Sequence, residues 1–165
     1  MKKIILTIAG VFAFGFVNAQ SGSFKVGAHV GLPTGDIKDW YSLNLGADVA
    51  YVWSVSDKFQ AGVTTGYTTY IGKTFDLPGG GSFKPENASF IPIAATAQFG
   101  IATDWFLGAD LGYAIGVNDG NDGGFLYQPK IGYHGDTFEV YFGYKGIAND
   151  GSTASSVNVG VNFKL

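Results

Sequence analysis

The sequence predicts an all-β protein: an eight-stranded antiparallel transmembrane up-and-down β-barrel, preceded by a cleaved signal peptide. Three observations predict it. Large apolar residues alternate with glycine and small polar ones along the chain, as in WFLGADLGYAIGV at 105–117. Charged residues make up only 14% of the chain, against roughly 25% in an ordinary soluble domain, so much of its surface must meet something other than water. The connections between the alternating stretches are short and long by turns.

The first residues, MKKIILTIAGVFAFGFVNAQ, read as a secretory signal. Lys2 and Lys3 form a positive start, Ile4 to Val17 an apolar run, and Val17-Asn18-Ala19 a cleavage site. The organisation expected is a signal peptide at 1–19 and one barrel domain at 20–165. No cysteine is present, which excludes a lipoprotein signal, disulfides and thiol chemistry. All ten basic residues are lysine; without Lys2 and Lys3, eight remain against 13 acids. A nucleic-acid binder needs a basic face to neutralise phosphates, so that class is excluded. No stretch after the signal is apolar enough for a membrane helix.

Eight strands follow in order: 24–32, 43–53, 59–71, 90–101, 105–117, 125–134, 138–147 and 155–165. Most have about 9 to 13 residues, enough to cross a bilayer at a tilt. Glycine at this density also opposes helix. Short turns are expected at 54–58, 102–104 and 135–136, and longer loops at 33–42, 72–89, 118–124 and 148–154. Tight turns on one rim and polar loops on the other is the pattern of bacterial outer-membrane barrels, and an even strand count puts both termini on the short-turn side.

Period 2 separates two faces. One carries Val26, Val30, Leu45, Val49, Ile91, Ile93, Val140, Phe142, Val159 and Val161; the other carries Gly27, Gly46, Gly62, Gly108, Gly132, Gly143 and Gly160 with the charged residues. Were the apolar set inside, it would overfill the narrow interior of eight strands and leave glycine facing water. With that set turned to lipid, glycine and small polar groups fill the lumen and both faces are accounted for. Trp53, Phe59, Phe99, Trp105, Phe138 and Phe163 stand beside the short turns or the C-terminus, as an interfacial aromatic girdle would. Tyr67, Phe125 and Tyr144 stand towards the loops.

Taken together, the ending NAQ of the signal, the glycine-rich FKVGAHVGLPTGD and the closing VNVGVNFKL resemble the small eight-stranded outer-membrane barrels of the OmpA/OmpX-like class, and within it the porin-like barrels of Bacteroidetes. The resemblance implies location in the outer membrane of a Gram-negative bacterium. It also implies that the last strand is read by the outer-membrane assembly machinery.

The inner face is expected to carry a polar network of Lys25, His29, Asp48, Asp110, Lys130, His134, Glu139 and Lys145, with Lys164 beside them. A narrow barrel is nearly dry inside, so these charges should neutralise one another. Asp48 lies five residues from Trp53 and Asp110 five from Trp105, roughly 16 Å above the lower rim at ~3.3 Å per residue. At that depth the expected pairs are Asp110–Lys130 and Asp48–His29, with Glu139 balancing His134 or Lys164. Some outer-membrane barrels act on lipid A at the outer rim, but here neither histidine is there, and no H-E-x-x-H or G-x-S-x-G occurs. No catalytic, cofactor or metal site is expected. The oxygen-rich VNDGNDGG lacks the spacing of a calcium loop and reads as turn chemistry. The function expected is a polar-filled, monomeric barrel in outer-membrane lipid, structural or binding an extracellular ligand through its loops. A narrow porin-like channel and a lipid A-modifying enzyme are the alternatives.

Overall fold

The computed structural model of the chain describes residues 22–149 and 151–165; the signal-peptide expectation lies outside them. Strands β1 (Gly22–Thr34), β2 (Tyr41–Ser56) and β3 (Phe59–Gly72) are followed by a two-by-two-residue hairpin, β4 (Phe75–Asp76) and β5 (Ser82–Phe83). Five further long strands then complete the chain: β6 (Ala88–Gly100), β7 (Trp105–Gly116), β8 (Gly124–His134), β9 (Phe138–Asn149) and β10 (Ser152–Lys164). The eight long strands form one closed antiparallel barrel in sequence order, with β10 returning to β1. Its seam runs from Lys25 opposite Lys164 to Thr34 opposite Ser155. Closure leaves no unpaired sheet edge, which a barrel in lipid requires.

Three details of the expected layout change. The last loop, expected at 148–154, shrinks to the turn between Asn149 and Ser152 because Gly151, at φ 108°, takes a backbone angle closed to other residues. The second loop carries the hairpin β4–β5, with Phe75 opposite Phe83. Leu165 lies past the end of β10 and is 79% exposed.

The faces fall as the alternation dictates. On β7, Trp105, Leu107, Leu111, Tyr113 and Ile115 point outward and, with Val117 just past its end, are 47–53% exposed, whereas Phe106, Asp110 and Ala114 point inward and are 0–7% exposed. Apolar side chains cover the outside on every long strand, a surface far larger than a water-soluble monomer tolerates and the one a bilayer needs. Of the girdle residues, Phe99, Trp105, Phe138 and Phe163 are exposed on this surface near the short-turn rim. Phe59 is half-buried opposite Phe99. Trp53 is largely covered, its ring 5.7 Å from that of Tyr51.

Inside, large residues stand opposite glycines. Phe106 faces Gly132, and Tyr141 lies between Gly132 and Gly160 on its two neighbouring strands. A Cβ on Gly132 would come within 2.5 Å of the Phe106 ring, so the glycine is what lets that ring lie flat in the wall. The expectation of a wholly polar lumen is corrected at the loop end. There Tyr70, Phe90, Ala94, Ala114, Leu126 and Ile147 turn inward and pack into a buried apolar cluster. The strands extend beyond the polar zone, and the alternation continues with apolar residues on both faces.

Candidate functional site

The lumen is stacked in tiers, each set by the register. Nearest the short turns, Lys25 Nζ lies 2.6 Å from Glu139 Oε1 and donates also to Gln98 Oε1 at 2.9 Å and Gln60 Oε1 at 3.3 Å. Glu139 is fully buried, and His134 Nδ1 lies 2.9 Å from its Oε1. His134, one of the two expected partners, is thus within reach of Glu139, although the contact lacks hydrogen-bond geometry. Lys164, the other expected partner, is not: its ammonium turns down to the Gly135 carbonyl at 2.9 Å. Lys25 takes that place. Lys25 and Lys164 sit opposite each other on the seam, so their repulsion sends one up to Glu139 and the other down to the turn.

The middle tier holds the other two expected pairs. Lys130 Nζ donates to both oxygens of Asp110 at 2.8 Å and lies 5.3 Å from the centre of the Tyr141 ring. His29 Nδ1 lies 2.6 Å from Asp48 Oδ2. Both pairs are diagonal neighbours across a strand: Lys130 stands opposite Gly108 and His29 opposite Gly46, while their acids sit two residues along. Glycine makes the diagonal possible, since a Cβ on Gly46 would strike the His29 ring. Lys145 is completely inside and its Nζ lies 2.8 Å from His29 Nε2.

Above this, Asn44 Nδ2 donates to Thr68 Oγ1 at 2.9 Å, Asn158 Nδ2 donates to Ser156 Oγ at 3.0 Å, and the Tyr70 hydroxyl is 3.1 Å from the same Ser156 oxygen. These hydroxyl and amide groups were not singled out from the sequence. Their signal was period 2 alone, which places Asn44, Thr68, Tyr70, Ser156 and Asn158 on the inner face.

One part of this stack has the order of a hydrolytic relay. Asp48 holds His29, and Thr68 Oγ1 is 3.2 Å from His29 Nε2. Two facts remove that chemistry. Lys145 has only protons to give, so Nε2 already accepts from it and cannot take the proton of Thr68. Thr68 is also 0% exposed, with no path for a substrate. Between the tiers the void comes to about 30 Å³, lined by Lys25, Asp48, Gln98, Asp110, Lys130 and Tyr141 among others. That is room for about two or three waters.

The larger hollow lies at the loop end, a cup of about 270 Å³. Its floor is the apolar cluster (Tyr70, Phe90, Ile147, Ala154) and its rim is Glu86, Asn87, Asn118, Asp119, Asn121 and Asn149. The rim is held by its amides. Asn87 Oδ1 accepts from Gly72 N–H, Asn118 Oδ1 from Ser89 N–H, Asn121 Oδ1 from Gly123 N–H and Asn149 Oδ1 from the Ser152 hydroxyl. VNDGNDGG is thus turn chemistry that clips the third loop to β6, with Gly120 and Gly123 at φ 74° and 75°.

No family model matches the chain, and no curated protein does. Solved structures do. The outer-membrane protein Ail of Yersinia pestis in a phospholipid nanodisc matches with a TM-score of 0.58 at 11% identity, covering 88% of this chain and 100% of that one. The N-terminal β-barrel domain of Pseudomonas aeruginosa OprF gives 0.52 at 14%, covering 88% and 100%. A de novo designed transmembrane β-barrel gives 0.56 at 13%, covering 88% and 98%. A designed sequence shares this backbone as closely as the natural ones, so what is shared is the architecture. The chain is an eight-stranded transmembrane β-barrel with the fold of the small outer-membrane barrels.

Proposed function

We propose that this is an exported outer-membrane barrel whose lumen is a structural plug and whose work is done at the loop rim, by binding or adhesion. The observation that carries this reading is the filled interior: Glu139, Asp110 and Asp48 each meet a basic partner at 2.6–2.8 Å, and about 30 Å³ stays open. A porin-like role would need a continuous water path, and a lipid A-modifying role would need reactive groups at the outer rim. The Ail barrel is named as an attachment invasion locus protein, which supports the adhesive reading.

A heparin analogue is bound in one Ail structure, but this chain's loops argue against a polyanion. Asp36, Asp39, Asp76, Glu86, Asp119 and Asp122 lie on that rim against Lys38, Lys73 and Lys84. Cleavage after Ala19, recognition of the last strand by the assembly machinery and a monomeric state belong to the same proposal.

Planar-bilayer recording of the refolded protein tests it. The expected trace has no steady conductance; a current proportional to salt would overturn the plug. Mass spectrometry of the mature protein should give Gln20 as its first residue.

A further inference from the structure

The cup at the loop end combines an apolar floor with two carboxylates that have nothing to do. All four rim amide oxygens named above accept bonds within the loops. Glu86 and Asp119 line the same cup and make no hydrogen bond or ion pair among the described residues. No lysine lines it. Tyr70, Phe90 and Ile147 are 0–4% exposed and form the packed base beneath the cup, so the apolar surface open to a ligand is that of the half-buried Ile37, Tyr41, Ala88 and Ala154.

From this charge complementarity we infer that the cup receives a small cationic amphiphile, an apolar or aromatic body seated on Ile37, Tyr41 and Ala154 with an ammonium or guanidinium head between Glu86 and Asp119. The inference rests on the loop-rim reading and names its ligand class. A volume of about 270 Å³ suits a body the size of one aromatic side chain, since ligand pockets for drug-sized molecules begin at roughly 300 Å³. A neutral ligand would leave both carboxylates unanswered, and an anion would be repelled by them.

Three probes with one body and different heads test this: 2-phenylethylammonium, 2-phenylethanol and phenylacetate. Each is titrated into the full mature protein in nanodiscs, with binding read from shifts of the Tyr41 ring and Ile37 methyl resonances. The ammonium should bind about fivefold more tightly than the alcohol, the size expected of two exposed ion pairs, and phenylacetate should not saturate. Glu86→Gln with Asp119→Asn, both exposed and so harmless to folding, should bring the ammonium down to the alcohol and leave the alcohol unchanged. Ala154→Trp, which fills the cup opposite Ile147, should abolish binding of all three. Phenylacetate binding as tightly as the ammonium would overturn the inference. So would shifts that survive Ala154→Trp, which would report partition into lipid, and so would the absence of any saturable probe. None of these results bears on the plug, which fails only by conductance.

Discussion

Removing the charge of Asp110 is the sharpest test of how the lumen is held. Its two oxygens each lie 2.8 Å from Lys130 Nζ, and the two side chains are 9% and 8% exposed. Breaking a buried pair by deleting one partner costs about 3–5 kcal/mol, because the other charge stays behind without compensation. Two features soften that here. The Tyr141 ring near Lys130 returns a cation–π contact of about 1 kcal/mol, and the neighbouring void can hydrate the ammonium. Asp110→Asn should therefore destabilise the barrel by about 2–3 kcal/mol, and Lys130→Met by a similar amount.

The double variant should lie within about 1 kcal/mol of the parent, since an uncharged pair needs no partner. The resulting coupling is at least about 3 kcal/mol, far above what neighbours without direct contact show. Equilibrium urea unfolding in phospholipid vesicles, followed by tryptophan fluorescence, measures all four corners. Asp57→Asn, on an exposed turn, serves as control and should stay within about 0.5 kcal/mol. A double variant as damaged as the two single ones added together would refute the pairing, and so would a neutral Asp110→Asn.

Other consequences are as direct. Gly132→Ala puts a methyl group within 2.5 Å of the Phe106 ring and 2.6 Å of the Val140 carbonyl, and should cost about 1–3 kcal/mol in the same unfolding assay. Adding Phe106→Leu should recover part of it; no recovery would mean that the backbone contact alone decides. Leu111→Lys, on the outer face midway along β7, should cost about 2–4 kcal/mol of folding into vesicles, whereas Val117→Lys at the loop end should cost about 0–1. Equal costs would contradict a lipid-facing belt. Chymotrypsin should cut after Phe83, which is half exposed on a hairpin held by two residue pairs. The nicked protein should still migrate as a folded barrel on an unboiled gel and separate into two fragments once boiled.

What was legible in the sequence was whatever period 2 controls. The alternation in β7 fixes which side chains meet lipid, and every long strand starts within three residues of its expected position. The pairs Asp110–Lys130 and His29–Asp48 were also legible, because equal distance from the aromatic girdle is a measure of depth. Lys25–Glu139 was not. It joins β1 to β9 across the lumen, and the shear that sets such a meeting is a property of the closed barrel rather than of any strand. Thr68 and Ser156 gave no signal beyond their face, since a hydroxyl is at home on many surfaces. The apolar cluster was hidden for the opposite reason: Tyr70, Phe90 and Ile147 lie where strands run past the charged zone, and an aromatic there suits either face.

The order of the tiers has a physical logic. A buried ion pair is strong only while water is kept from it, since its attraction falls as the local dielectric rises. On the turn side, Phe106 and His134 close the lumen, their rings 4.4 Å apart. On the loop side the apolar cluster does the same over a wider mouth, with Tyr70 meeting Phe90 edge to face at 6.2 Å. The pairs between these two seals neutralise the lumen and bind the strands across it. The seal on the loop side has a second consequence, because the face it turns outward is apolar and is walled by loops whose asparagine oxygens already accept bonds within the loops. A barrel closed against water in this way leaves a cup at its outer end, where Glu86 and Asp119 stand without a partner among the described residues, above the half-buried apolar side chains of Ile37, Tyr41 and Ala154.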